Sequence, residues 1–190
     1  MHTLVLASGS PRRRELLGDA GLTFDVISPD VDETRLPDEG AIAYSERLAH
    51  AKAEAVYARN PSETRPIVAA DTIVVIDGNI LGKPTSETNA REMLEMLSGR
   101  VHQVVTAFCV RRGTESRTQA VSTEVTFRPL SPADVARYMA SNEWTDKAGG
   151  YAIQGLAAGF VPRISGSYTN IVGLPMCEVL DALASYLNFH

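Results

Sequence analysis

Apolar and polar positions switch between two periods along the chain. Thr3 to Ala7, TLVLA, is the short apolar run of a buried strand, and FDVIS, from Phe24, alternates like a second one. Between them PRRRELLGDAG turns Leu16 and Leu17 inward and ends at Gly21, which predicts a helix and a β-α-β opening. After the polar stretch PDVDETRLPDEG, small and apolar residues recur at helical spacing from Ala41 to Ala58, with Pro61 marking a stop. IVAADTIVVI predicts a long apolar strand holding one carboxylate, and DGN a hairpin turn that leads to Lys83. A helix is expected over Thr88 to Leu97, closed by Ser98 and Gly99. Val101 to Arg111 and Glu115 to Phe127 predict two long strands joined at Arg112-Gly113-Thr114. Ser131-Pro132 with Asp134 opens another helix, and a closing helix is expected from about Cys177 to Tyr186.

This alternation predicts an α/β fold. With 190 residues, 44% of them hydrophobic, the chain can bury a full core as one domain over 1–190 or as two closely packed lobes. A net charge of −5 argues against a general binder of nucleic-acid polymers or membrane surfaces, which need a positive field over a face. The first apolar run is too short for a signal-peptide core, and no window approaches a membrane span, so a soluble cytoplasmic protein is expected. Cys109 and Cys177 sit in apolar contexts that suit reduced, buried thiols, with a disulfide disfavoured.

The basic residues are locally concentrated. Ser10 is placed as an N-cap and Pro11 as the first helical residue, so Arg12, Arg13 and Arg14 fall in the first turn. That end of a helix is already positive, and each arginine there costs a few tenths of a kcal/mol unless an anion is bound. Asp71 interrupts a run of Val, Ile and Ala, where an ionised carboxylate needs hydrogen bonds, a counter-ion or a metal; the alternative is a turn cap at a strand end. Glu33 in DVDET and Lys52 in LAHAKAEA have, taken alone, the pattern of solvated surface. Lys83 lies on a constrained Gly-Lys-Pro loop, a better place for a ligand contact. Neither GxxxxGK[ST] nor GxGxxG occurs, and His2, His50, His102 and His190 show no metal-ligand spacing.

Taken together and in order, SGSPRRRELL, DET, LAHAKA, AADTIVV, LGKP, LSGRVHQVVT and DKAGGYAIQG with ISGSYTNIVGLP resemble the Maf family of nucleoside triphosphate pyrophosphatases. The resemblance implies an α/β fold with an elongated mixed β-sheet, flanking helices and two lobes around a central cleft, similar to the inosine triphosphate pyrophosphatases. It implies hydrolysis of a nucleoside triphosphate to the monophosphate and pyrophosphate with Mg²⁺ or Mn²⁺. Asp71 matches the general base, and Glu33 an acid near metal and water, the two together forming the implied metal site. Ser8, Arg12 and Arg13 match the phosphate-binding loop, Lys52 and Lys83 the lysines that neutralise phosphates, and Arg12, Thr72 and Gln154 the positions of base selection. KAGGYAIQG resembles the branch acting on dTTP and UTP, since the Gln154 amide can pair with the O4 and N3–H edge of thymine or uracil. Gly150 departs from that branch, which often has Ala. A homodimer is implied by resemblance alone. Rival readings are a pyrophosphatase for 7-methyl-GTP or non-standard purine nucleotides, and a non-catalytic nucleotide-binding regulator of septum formation.

Overall fold

A computed structural model describes residues 3–187, so His2 and His190 lie outside the described residues. The strands are β1 (Leu4–Ala7), β2 (Phe24–Val26), β3 (Ile67–Ile76), β4 (Asn79–Leu81), β5 (Val101–Arg112), β6 (Glu115–Thr126) and β7 (Arg163–Ser165). They form one mixed sheet in the order β2-β1-β3-β5-β6-β7, with β4 paired to β3. β1 runs parallel to both neighbours, Leu4 opposite Phe24 and Val5 opposite Ile67, whereas β3–β4 and β6–β7 are antiparallel. The helices are α1 (Pro11–Asp19), α2 (Ala41–Arg59), α3 (Glu87–Leu97), α4 (Pro132–Ala140), α5 (Tyr168–Val172) and α6 (Met176–Leu183).

The predicted β-α-β opening is present, and its strand is buried on both faces, as the uninterrupted apolar run of β1 requires. The hairpin at Asp77-Gly78 has both residues at positive φ, 50° and 77°, the mirror-image turn that matches strand twist. At α4 the expected capping box is complete: Asp134 N–H donates to Ser131 Oγ while the Asp134 carboxylate accepts from Ser131 N–H.

Several expectations need correction. Ser10 has N-cap backbone angles, but its side chain makes no capping bond; its N–H donates instead to Ser8 Oγ at 3.1 Å. The last helix stops at Leu183, short of Tyr186. Cys109 is buried as expected, but Cys177 is exposed on the first turn of α6, and both are free. The glycine-rich final third forms β7, α5 and two 3₁₀ turns that periodicity did not reveal.

The chain forms two compact units. The first contains the chain up to Asp71, Thr106–Val121 and the chain from Gly173 onward; the second contains Thr72–Val105 and Ser122–Val172. In the first, Leu4, Leu6, Val68 and Ala70 pack on one sheet face with Leu17, Val179 and Leu183. On the other face Val5, Ala7, Ile67 and Ala69 meet Ala49, Ala53 and Val56 of α2. In the second unit the core is partly aromatic, with Phe127 edge-on to His102, Tyr151 and Phe160.

Candidate functional site

Successive strand residues point to opposite faces, so Asp71 shares the face of Ile67 and Ala69, against which α2 packs. Lys52 extends from α2 and is buried, only 8% exposed, which corrects its reading as surface. Its Nζ lies 2.7 Å from Asp71 Oδ1 and 2.7 Å from Glu33 Oε1. One ammonium thus bridges two carboxylates, leaving a formal excess of negative charge. Asp71 is itself 7% exposed, and its Oδ2 is buried with no hydrogen-bond partner. An unpaired ionised oxygen in such a setting is costly unless a proton, a cation or a water meets it.

Ser8 and Arg13 stand beside this cluster. Arg13 donates through Nη1 to Ser8 Oγ at 3.2 Å and through Nε to Gly173 O at 2.7 Å. Desolvation lowers Arg13 to about 10, opposed by the attraction of Asp71, reinforced by repulsion from Arg12 and opposed again by Glu33. Arg13 remains cationic at neutral pH. No acidic residue occupies the first turn of α1, so the arginines there add to the positive end of the helix.

Glu33 sits on the loop before α2, and that loop is tied to the helix. Tyr44 Oη donates to Glu33 O at 2.8 Å, and Arg47 Nη2 to Thr34 O at 3.0 Å. Arg47 also forks onto Glu39, at 2.6 Å from Oε1 and 2.8 Å from Oε2. The Arg47 hydrogen bond holds the Glu39 carboxyl down at about 2. Desolvation raises the Tyr44 phenol, as do the nearby charges of Asp71 and Glu33. Tyr44 and Arg47 were missed by sequence reasoning, although their spacing of three places them on one face of a helix.

The structure therefore gathers Ser8, Arg13, Glu33, Lys52 and Asp71 in the first unit, with Arg12 close enough to Arg13 to repel it. Thr72, Lys83 and Gln154 belong to the second unit. Thr72 is half-buried on β3, and Lys83 is exposed on the loop after β4. That loop is anchored where Gly149 N–H donates to Gly82 O at 3.0 Å. Gly149 has φ 68°, and a Cβ there would meet Val74 Cγ2 at 2.7 Å, so only glycine makes this approach. Gln154 is exposed beside an open pocket of about 390 Å³ that Ile153, Arg163 and Tyr168 also line.

Among the described residues no group of three or more His, Cys, Asp and Glu is placed to hold a metal. Two carboxylates are nevertheless a fitting donor set for a hard cation such as Mg²⁺, which keeps several waters and takes further oxygens from substrate phosphates. The unpartnered Asp71 Oδ2 agrees with that fit.

An α/β sheet presenting an arginine-rich helix start beside a buried carboxylate–ammonium cluster defines a protein suited to holding a polyanion next to a proton acceptor. The chain belongs to the Maf family: the model described as Maf-like protein matches residues 3–186. A curated relative from Pectobacterium atrosepticum, named dTTP/UTP pyrophosphatase, is 48% identical over 186 residues, covering 98% of this chain and 94% of that one. A relative from Shewanella denitrificans with the same name is 47% identical over 191 residues, covering 97% and 96%. Among solved structures, the chain is similar to the Staphylococcus aureus Ham1 protein with a TM-score of 0.45, at 17% identity over 65% of this chain and 71% of that one.

Proposed function

We propose that this chain is a nucleoside triphosphate pyrophosphatase that hydrolyses dTTP and UTP to the monophosphate and pyrophosphate. The observation that carries this reading is the buried Lys52 bridge, which fixes Asp71 Oδ1 and leaves Oδ2 available beside the cations of α1. Near-full-length relatives named for that activity support it.

In the reaction, the Asp71 carboxylate accepts a proton from water as the water oxygen attacks phosphorus. The P–O bond between the α- and β-phosphates breaks, and pyrophosphate leaves with the bonding electrons. Arg12, Arg13, Lys52 and Lys83 neutralise phosphate oxygens, and Ser8 orients the Arg13 guanidinium. Glu33 and Asp71 would hold Mg²⁺ or Mn²⁺, whose chemistry when bound is to draw charge from the phosphates and acidify water. Thr72 and Gln154, with Arg12, select the base. No helix among the described residues is long and apolar enough to cross a membrane. A cytoplasmic location, expected from the sequence, and a homodimer, which rests on family resemblance alone, are part of this reading.

Product analysis with Mg²⁺ or Mn²⁺ tests the reaction. Equimolar pyrophosphate and monophosphate are expected from dTTP and UTP, and release of orthophosphate would overturn it. A matched panel that includes 7-methyl-GTP and inosine triphosphate tests the base preference.

A further inference from the structure

Gln154, given the base-reading role above, is exposed, and the backbone on either side of it is held by side chains from elsewhere in the same unit. On one side Ala152 N–H donates to Tyr138 Oη at 3.1 Å. On the other, Leu156 N–H donates to Glu143 Oε2 at 2.8 Å. Leu156 opens a 3₁₀ turn just after its N-cap Gly155, and its N–H is one of the first donors, which find no acceptor within the turn. Glu143 supplies the missing acceptor across a separation of thirteen residues. It is anchored in turn just past α4, where its own N–H donates to Ser141 Oγ at 3.2 Å.

The contact is close enough to constrain the sequence. A Cβ at position 155 would lie 2.0 Å from Glu143 Oε2 and 2.7 Å from its Cδ. Any larger residue there displaces the carboxylate, so Gly155 and Glu143 act as one device. The pocket beside Gln154 falls within the range of about 300–1,000 Å³ that holds small ligands.

We propose that Glu143 is a positioning residue for base selection: by capping Leu156 N–H it holds Gln154 at the angle from which its amide tells a 4-keto pyrimidine from a 4-amino one. This rests on the base-reading role given to Gln154 under the proposed function. An amide matches the keto edge only in one orientation, and a released segment can present its donor and acceptor to either edge.

The test is kcat and KM for dTTP and dCTP in the wild type, Glu143→Ala, Glu143→Gln, Gly155→Ala, the Glu143→Ala/Gly155→Ala pair and Gln154→Ala. Glu143→Ala is expected to lower the dTTP-to-dCTP ratio of kcat/KM roughly tenfold, the scale of one oriented hydrogen bond, mainly through a higher KM for dTTP. Glu143→Gln retains an acceptor oxygen and should recover most of the ratio. Gly155→Ala should reproduce the loss, and the double variant should be no worse than either single one. An unchanged ratio in Glu143→Ala, or an equal loss on both nucleotides, overturns the positioning role if Gln154→Ala has altered the ratio. An unchanged ratio in Gln154→Ala instead overturns the base-reading role beneath it. Should Glu143→Ala fail to fold, Glu143→Asp withdraws the acceptor by one methylene with charge retained, and the same ratio decides.

Discussion

Lys52 and Asp71 form an ion pair at 2.7 Å between a helix and a strand, with both side chains only 10% exposed. Such a pair is costly to desolvate, so its net contribution to stability is small, while loss of one partner leaves the other charged and buried. Lys52→Ala should therefore lower stability by about 3 kcal/mol as well as weaken triphosphate binding. Urea unfolding checks this, and the Lys52→Ala/Asp71→Ala double variant should be more stable than Lys52→Ala alone.

Asp71→Asn keeps the shape and removes both the charge and the proton-accepting oxygen. Turnover should fall by about 10²- to 10⁴-fold, with substrate affinity little changed or improved as repulsion is relieved. Single-turnover rates measured beside thermal unfolding separate this from a structural effect. An unimpaired chemical step would remove Asp71 from the catalytic set.

Arg47 touches no proposed substrate group but fastens the loop that bears Glu33. Arg47→Ala should raise the Mg²⁺ concentration for half-maximal activity by about tenfold, the lower range for partners of metal ligands. Tyr44→Phe, which deletes only the bond to Glu33 O, should act in the same direction and more weakly. A metal titration of activity at saturating dTTP reads both. An unchanged midpoint would separate the loop's geometry from cation binding.

His102 is 2% exposed, bonded through Nε2 to Tyr151 Oη at 2.8 Å, with Nδ1 unpartnered. Desolvation lowers it to about 4 from an ordinary 6.5. The folded state favours the neutral ring, so the unfolded chain binds the extra proton first as pH falls. Stability from this source is complete above about pH 6.5 and is lost progressively towards pH 4, to a total of about 3 kcal/mol. Unfolding free energies across that window should show the acid loss, and His102→Phe should flatten it.

Strand and helix periods made most of the fold legible, because α2, α3 and α4 bury residues at helical spacing and β1 and β3 are near-continuous buried apolar runs. The glycine-rich final third was opaque, since β7 and the 3₁₀ turns depend on pairing and side-chain contacts with distant residues. Asp71 announced itself as a charge in an apolar run. Lys52 did not, because a lysine among alanines on a helix has the same pattern whether its stem is buried or solvated. Its partners lie nineteen residues away on β3 and on an aperiodic loop, and only the family resemblance joined them beforehand. Tyr44, Arg47 and Glu143 stayed hidden because each acts on backbone groups, which sequence does not distinguish.

The layer between α2 and the sheet is built largely of alanines: Ala49 and Ala53 on the helix face Ala7, Ala69 and Ala107 on the strands. Methyl groups let a helix ride close to a sheet, and that spacing sets how far the Lys52 stem must reach to meet Asp71 and Glu33. The geometry of this ion cluster is thus gauged by the volume of uncharged side chains that touch none of its ionic groups. A valine in this seam would work as a shim, lifting the lysine off its carboxylates with every charged group of the site left in place.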